Sequence, residues 1–147
     1  MNMKGVFLAL IGLLLFSACL QSGAQQAIEI EMYKSPTCAC CGKYAEYLKA
    51  KGFKVKVIEV SDPTEIKKTL GVPEEMWSCH TLKVGKYYVE GHVPVEGINK
   101  LLKEQPDING IALPGMPEGS PGMSGVKRGP FIIYSISNGE IKEYARM

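Results

Sequence analysis

Residues 28–52 read IEIEMYKSPTCACCGKYAEYLKAKG, and their pattern is the most informative about the fold. Apolar and polar residues alternate over its first seven positions, which predicts a β-strand. A Ser-Pro-Thr break follows, and three cysteines then occupy four positions: Cys38, Cys40 and Cys41. Beyond them, apolar side chains recur at helical spacing until Gly52, a residue type that commonly ends a helix. The stretch therefore predicts a strand, a cysteine-rich loop and a helix in succession.

The middle of the chain predicts four further elements. In chain order they are a strand at 53–60, a helix that starts at 62–65 and ends at 71–73, a hairpin over 81–90 that turns near Gly85, and an amphipathic helix at 95–102. Asp62 is the predicted capping residue of the first of these helices, and Pro63 suits its first turn. Pro106 stops the second helix.

The C-terminal part predicts a long loop followed by a second hairpin. Residues 106–130 contain 6 of the 16 glycines and 5 of the 9 prolines, which is typical of a loop. Loops of this length in a compact domain are usually functional or disordered. Residues 131–136 and 140–144 then predict two strands joined by an Asn138-Gly139 turn.

This order of elements predicts a single α/β domain over residues 25–147 with a thioredoxin-like, more narrowly glutaredoxin-like, fold. The crossover helix makes the first two strands parallel, and the hairpin adds antiparallel strands. Residues 81–102 resemble the last hairpin and helix of glutaredoxins, whereas residues 129 onward resemble the corresponding hairpin of thioredoxins. We favour the first assignment, because a helix follows that hairpin where the fold requires one. The long Gly/Pro-rich loop and the C-terminal hairpin are then additions.

Composition and charge exclude several classes of protein. Hydrophobic residues make up 46% and charged residues 22% of the 147-residue chain, as in an ordinary globular domain rather than a disordered or fibrous one. The formal net charge is +2, and Lys4 is the only charged residue among the first 24, so the remainder carries +1. That charge is too small for electrostatic binding of nucleic acid.

The first 24 residues predict an export signal. Lys4 precedes an apolar run at 6–16, which is shorter than the roughly 20 residues of a membrane-spanning helix and fits a signal peptide. Cleavage after Ser22-Gly23-Ala24 would give an unmodified periplasmic protein. Residues 16–19 also resemble a lipoprotein box, in which Cys19 would be lipidated and would form the only membrane anchor. Both alternatives place the domain in the periplasm and leave four cysteines in it.

The cysteines allow more than one chemistry. Cys38 and Cys41 have the C-x-x-C spacing of redox pairs, and a helix N-terminus stabilises the thiolate there. They fit the attacking and resolving cysteines of a periplasmic thiol–disulfide oxidoreductase, or else a structural disulfide. Cys40 between them argues against disulfide exchange, because a third thiol invites mispairing and over-oxidation.

Metal binding uses all four cysteines. Thiolates are soft ligands that suit Cu(I), Zn(II) or iron–sulfur clusters. A zinc site normally has two separated cysteine pairs, whereas here a crowded triplet is joined by the distant Cys79. Crowding favours sulfurs that bridge several Cu(I) ions. In a glutaredoxin-like fold, Cys79 lies in the loop that normally carries a cis-proline facing the cysteine motif, so it would complete a four-sulfur site.

Other side chains are weaker candidates. Met116 and Met123 lie in the patterned segment LPGMPEGSPGM and carry thioethers that bind Cu(I), although methionines in loops also simply fill gaps in packing. His80 and His92 are also candidate ligands, and His80 ranks ahead because it adjoins Cys79. Trp77 near the site is more readily explained as core packing than as a shield.

Four motifs together resemble the CopG-like family of exported bacterial copper-resistance proteins, long catalogued only as a domain of unknown function. In chain order they are PTCACCG at 36–42, SCHT at 78–81, EGHVP at 90–94 and PGMPEGSPGM at 114–123. The resemblance implies a thioredoxin-like fold with a cysteine-bridged multinuclear copper cluster that interconverts Cu(I) and Cu(II). Its implied ligands are Cys38, Cys40, Cys41 and Cys79. Tyr44 departs from the family, which usually has tryptophan there, and this puts the local shielding of the cluster in question.

The sequence thus predicts an exported copper-binding protein of copper resistance, with copper ions as cofactor and with periplasmic copper chaperones or efflux components as protein partners. Two alternatives stay open. One is the thiol–disulfide oxidoreductase that uses Cys38 and Cys41, and the other is a module that only stores copper. Whether the copper chemistry makes the protein an enzyme, as a copper oxidoreductase, is also left open.

Overall fold

The computed structural model describes residues 27–147, which form seven strands, three α-helices and one turn of 3-10 helix. In chain order they are β1 (Glu29–Lys34), α1 (Ala39–Ala50), β2 (Lys54–Glu59), α2 (Thr64–Thr69), the 3-10 turn (Glu74–Met76), β3 (His80–Val84), β4 (Tyr87–Gly91), α3 (Val95–Glu104), β5 (Gly110–Leu113), β6 (Ile132–Ser137) and β7 (Glu140–Arg146). The predicted signal segment and Cys19 lie outside the described residues. Within residues 27–147, no helix combines the length and apolar composition needed to cross a membrane.

The strands form one mixed sheet in the order β2-β1-β3-β4-β5-β6-β7. β1 pairs in parallel with β2, and β4 pairs in parallel with β5, while the other neighbours are antiparallel. The predicted α/β class is confirmed, and so are both hairpins. The sheet is larger than predicted.

The difference arises at residues 110–113, which fall in the predicted long loop but form β5. Their sequence, GIAL, is a short apolar run that is buried throughout, and such a run has no alternation to reveal a strand. Gly110 allows β5 to pair closely with β4, because a Cβ at this position would clash with the carbonyl oxygen of Tyr88. β5 connects the C-terminal hairpin to the rest of the sheet, so seven strands form one structure.

The main core lies between one face of the sheet and helices α1 and α3. Alternate strand residues point to it, among them Ile30, Met32, Leu82, Val89 and Ile111, all fully buried. The opposite face carries a smaller cluster of Val72, Tyr88, Ala112 and Ile136, against which Trp77 packs. The Trp77 ring nitrogen donates a hydrogen bond to the carbonyl oxygen of Val72 at 2.9 Å. Trp77 is therefore a packing residue of this second cluster.

Helix α2 begins where the sequence indicates. The carboxylate of Asp62 accepts a hydrogen bond from the backbone N–H of Thr64 at 2.8 Å, as expected of a residue that caps the free N–H groups of a first turn. Helix α1 starts earlier than predicted. Cys38 takes its N-cap position, and Cys40 and Cys41 lie in its first turn rather than in a loop.

Candidate metal centre

Backbone pairing brings Cys79 to the cysteine triplet. β1 ends at Lys34, whose register partner on β3 is His80, so the residue before β3 lies beside the turn that leads into α1. That turn is closed by a hydrogen bond from the N–H of Cys38 to the carbonyl oxygen of Ser35 at 3.1 Å. The sheet therefore fixes Cys79 next to the N-terminus of helix α1, as the sequence predicts.

The four sulfur atoms form one group. All of them lie within 4.8 Å of one another. The Sγ of Cys40 is 3.4 Å from that of Cys38 and 3.8 Å from that of Cys79. Cys40 therefore occupies a central position between helix α1 and residues 77–79 before β3, here called the Cys79 loop. Cys41 is fully buried, while Cys38, Cys40 and Cys79 are partly exposed.

Two of the four cysteines are joined in this structure. Cys38 and Cys41 form a disulfide with their Cα atoms 5.4 Å apart, a normal separation for a bridged pair, and Cys40 and Cys79 are free. The bridged pair is the C-x-x-C pair that the sequence singles out. Because a metal ligand must be a thiolate, Cys38 and Cys41 would act as ligands only after this bond is reduced.

His92 lies closer to the sulfur group than the sequence ranking suggests. Its Nε2 is 3.1 Å from the Sγ of Cys79, and its Nδ1 is 2.7 Å from the carbonyl oxygen of Pro121. A carbonyl oxygen only accepts, so Nδ1 must carry the hydrogen and Nε2 presents its lone pair to the sulfur. His92 is thus oriented as a ligand or hydrogen-bond acceptor at the site.

The sequence ranked His80 above His92 as a candidate metal ligand. The pairing register of the β3–β4 hairpin, however, also predicts that His92 lies near Cys79. Thr81 pairs with Glu90 across the hairpin, so the residues two positions further out on each side, Cys79 and His92, also face each other. His80 is fully buried, with its Nδ1 3.4 Å from the Sγ of Cys79. Cys79, His80 and His92 form a second group of metal-ligating side chains that shares Cys79 with the first.

Burial governs the protonation of this region. Burial, with a contribution from the adjacent Cys40, raises the pKa of the Cys79 thiol to about 12, so Cys79 keeps its proton when no metal is bound. Burial and the neighbouring His92 hold the pKa of His80 well below its usual range. Burial also lowers the pKa of His92. Both imidazoles are therefore neutral, the form that binds metals.

Tyr44 packs beside the histidines. It is fully buried, and its ring centroid lies 4.7 Å from that of His80 and 5.1 Å from that of His92. Its hydroxyl donates a hydrogen bond to the carbonyl oxygen of Val93 at 2.7 Å. Tyr44 therefore covers the inner side of the site with an aromatic ring.

The loop that carries Met123 packs on the start of helix α1. A Cβ at Gly122 would lie 2.8 Å from the backbone nitrogen of Tyr44 and 3.0 Å from the carbonyl oxygen of Cys40, and this glycine has a positive φ of 82°. The backbone of Met123 therefore lies near the cysteine helix. Met116 is instead 41% exposed at the loop surface. The ligand role of both methionines stays a prediction.

A buried ion pair holds the Cys79 loop, and sequence reasoning did not find it. The carboxylate of Glu90, which is fully buried, pairs with the ammonium of Lys67 from helix α2. The same carboxylate accepts hydrogen bonds from the N–H of Ser78 and the hydroxyl of Thr81, both at 2.6 Å. Burial raises the pKa of Glu90, and Lys67 opposes that rise. Residues on both sides of Cys79 are thus fixed to one carboxylate.

Comparisons with protein-family models and with solved structures both find proteins similar to this chain. Residues 76–123 match the family described as "Protein of unknown function, DUF411". The chain is also similar to two solved structures described as copper resistance protein copG, form 2 and form 1. Each is 37% identical and aligns over 83% of this chain, covering 99% and 98% of the solved chains with TM-scores of 0.77 and 0.76. A comparison with curated protein sequences gives no significant match.

Proposed function

Since the chain belongs to the CopG family of copper resistance proteins, we propose that it is an exported protein that holds Cu(I) in a cysteine-bridged, multinuclear cluster. The ligands in this proposal are the sulfur atoms of Cys38, Cys40, Cys41 and Cys79. Copper is the cargo of the site, and the physiological role is copper resistance. Interconversion of Cu(I) and Cu(II) at the same cluster is part of the proposal.

The observation that carries the proposal is the grouping of four sulfurs within 4.8 Å, with Cys40 in a central position. Soft thiolate ligands select Cu(I), and the neutral imidazoles of His80 and His92 add nitrogen donors that copper also accepts. A sulfur with neighbouring sulfurs on both sides is suited to bridge metal ions. This supports several copper ions rather than one.

The architecture also supports the proposal. We infer a thioredoxin-like core in which β1, α1 and β2 form the parallel unit, and the β3–β4 hairpin with α3 completes it. β5, β6 and β7 extend that core. In this inferred core Cys79, which directly precedes β3, would take the loop position that a cis-proline occupies in thiol–disulfide exchange proteins.

We further propose a periplasmic location, reached through the signal peptide of residues 1–24, with Cys19 as the point of lipid attachment if the lipoprotein box is used. Copper chaperones and efflux components of the same compartment are the proposed protein partners. Intact-mass measurement of the exported protein distinguishes the alternatives. A chain that begins at residue 25 indicates simple cleavage, and an acylated chain that begins at Cys19 indicates the anchor.

Anaerobic titration of the reduced protein with Cu(I), followed by metal analysis, tests the cluster. The proposal expects more than one copper per chain at saturation, and a sharp loss of stoichiometry in Cys40→Ser and Cys79→Ser. Ser135→Ala, on strand β6, is the control and keeps the full stoichiometry. Saturation at one copper, or at none, contradicts the multinuclear cluster.

A second candidate function is favoured by the disulfide between Cys38 and Cys41. It is the periplasmic thiol–disulfide oxidoreductase, with Cys38 as the more exposed, attacking cysteine and Cys41 as the buried, resolving one. It predicts disulfide reduction in an insulin assay that is lost in Cys41→Ser and little changed in Cys40→Ser. Equal loss in both variants favours metal binding.

A further inference from the structure

We propose that Cys38 and Cys41 form a two-electron couple that reduces Cu(II) to Cu(I) at this site, while Cys40, Cys79 and His92 stay available to hold the Cu(I) that forms. This inference rests on the proposed function, because it takes copper as the substrate. It assigns different roles to the four cysteines, which the cluster proposal treats alike.

The contacts at the site separate the cysteines into two sets. The disulfide joins Cys38 to Cys41 and leaves Cys40 and Cys79 as thiols 3.8 Å apart. His92 approaches the sulfur of Cys79 at 3.1 Å, with its Nε2 lone pair directed there. A sulfur–sulfur–nitrogen donor set therefore persists after the disulfide has formed, and these are soft and borderline ligands that suit Cu(I).

The position of the pair suits electron transfer to copper. Cys38 is the N-cap residue of helix α1, where the free N–H groups of the first turn favour the thiolate, the reactive form of cysteine. Its sulfur lies 3.4 Å from that of Cys40 and is partly exposed, so copper held at Cys40 is within reach. Cys41 is fully buried and close enough to Cys38 to form the bond.

The electron balance is closed by copper itself. Each thiol of the pair gives one proton to solvent and one electron to one Cu(II), and the S–S bond forms between the two sulfurs. Two thiols and two Cu(II) thus become one disulfide, two Cu(I) and two protons. A dithiol reductant, acting at the partly exposed Cys38 by thiol–disulfide exchange, returns the pair to its reduced state.

The test adds a Cu(II) salt without oxygen to the reduced mature protein in the presence of a chromogenic Cu(I) chelator. The proposal expects two Cu(I) per chain. Alkylation and mass spectrometry of the tryptic peptide 35–43 should then find Cys40 alkylated and Cys38 and Cys41 protected, with Cys79 also alkylated. A disulfide that contains Cys40 or Cys79 overturns the proposal.

Single-cysteine variants test whether the cysteines that supply electrons differ from those that hold Cu(I). Cys38→Ser should slow Cu(I) production at least fivefold, and it should keep the fold because serine is a preferred N-cap residue. Cys40→Ser removes a proposed Cu(I) ligand and should release Cu(I) faster to the chelator, while any disulfide that it forms should still join Cys38 to Cys41. Equal rates in Cys38→Ser and the unmodified protein contradict the proposal.

A direct Cu(I) titration of the same samples distinguishes failure of the two-electron couple from failure of the proposed function. If the protein binds several Cu(I) but forms no Cys38–Cys41 disulfide with Cu(II), only the two-electron couple is wrong. If it binds no Cu(I), the proposed function itself is wrong.

Discussion

The orientation of His92 depends on one hydrogen bond. The Nδ1–H group donates to the carbonyl oxygen of Pro121, in the loop that covers helix α1, and this directs Nε2 to the sulfur of Cys79. Such partners of ligands fix the ring and its tautomer in metal sites. The loop that carries Pro121 and Met123 therefore contributes to the site through a backbone carbonyl group, independently of its methionine side chains.

His92→Gln should consequently weaken Cu(I) binding by about tenfold or more, since the loss of a side chain that contacts or orients a ligand has effects of this size. Competition with a Cu(I) chelator of known affinity measures the change. Circular dichroism checks that the variant remains folded. An unchanged affinity in a folded variant would remove His92 from the site.

Tyr44 offers a test of packing around the site. Tyr44→Phe removes the hydroxyl that hydrogen-bonds Val93 and leaves that carbonyl oxygen without its partner, so the free energy of unfolding should fall by about 1–3 kcal/mol. Tyr33→Phe is the matched control, because the Tyr33 hydroxyl bonds Glu31 near the surface. Urea denaturation measures both variants, and equal effects would contradict the burial argument.

Among the elements, the Cys79 loop before β3 is held in place by the carboxylate of Glu90 on β4, which pairs with the ammonium of Lys67 on α2. Glu90→Gln leaves the Lys67 charge buried without its partner, which should lower the free energy of unfolding by about 3–5 kcal/mol. Glu143→Gln, which breaks an exposed pair with Arg146, should cost at most about 1 kcal/mol. Urea denaturation compares them, and a loss in Glu90→Gln no larger than in the control would show that the pair does not hold this loop.

Strand β5 depends on the absence of a side chain at Gly110. Gly110→Ala places a Cβ against the backbone of Tyr88 and forces β4 and β5 apart, so the free energy of unfolding should fall by about 1–3 kcal/mol. Gly129→Ala is the matched control, because nothing lies within 4 Å of its Cβ position. Thermal unfolding of the two variants gives the comparison. Equal midpoints would mean that β5 tolerates the extra atom.

Across the whole chain, the features that follow from local sequence patterns were predictable. Alternation and helical spacing place β1, α1 and the two hairpins, and the order of elements brings Cys79 to the triplet. β5 escaped prediction because four buried apolar residues show no period, and glycine and proline dominate their surroundings.

Features that depend on distant parts of the chain were not predictable in this way. The Lys67–Glu90 pair joins residues 23 positions apart and on different elements, so no spacing rule reveals it. The place of His92 does follow from the hairpin register, but only once the Thr81–Glu90 pairing is known. The choice between a disulfide and a thiolate ligand depends on the redox state of the surroundings rather than on sequence alone.

We propose that four sulfurs of this domain share several copper ions. X-ray absorption at the copper edge, on protein purified from copper-fed cells, tests it most directly. We expect Cu(I) with sulfur-dominated ligation and a resolved copper–copper scattering path, both lost in Cys40→Ser. Ligation dominated by nitrogen and oxygen, or sulfur ligation without any copper–copper path, would contradict it.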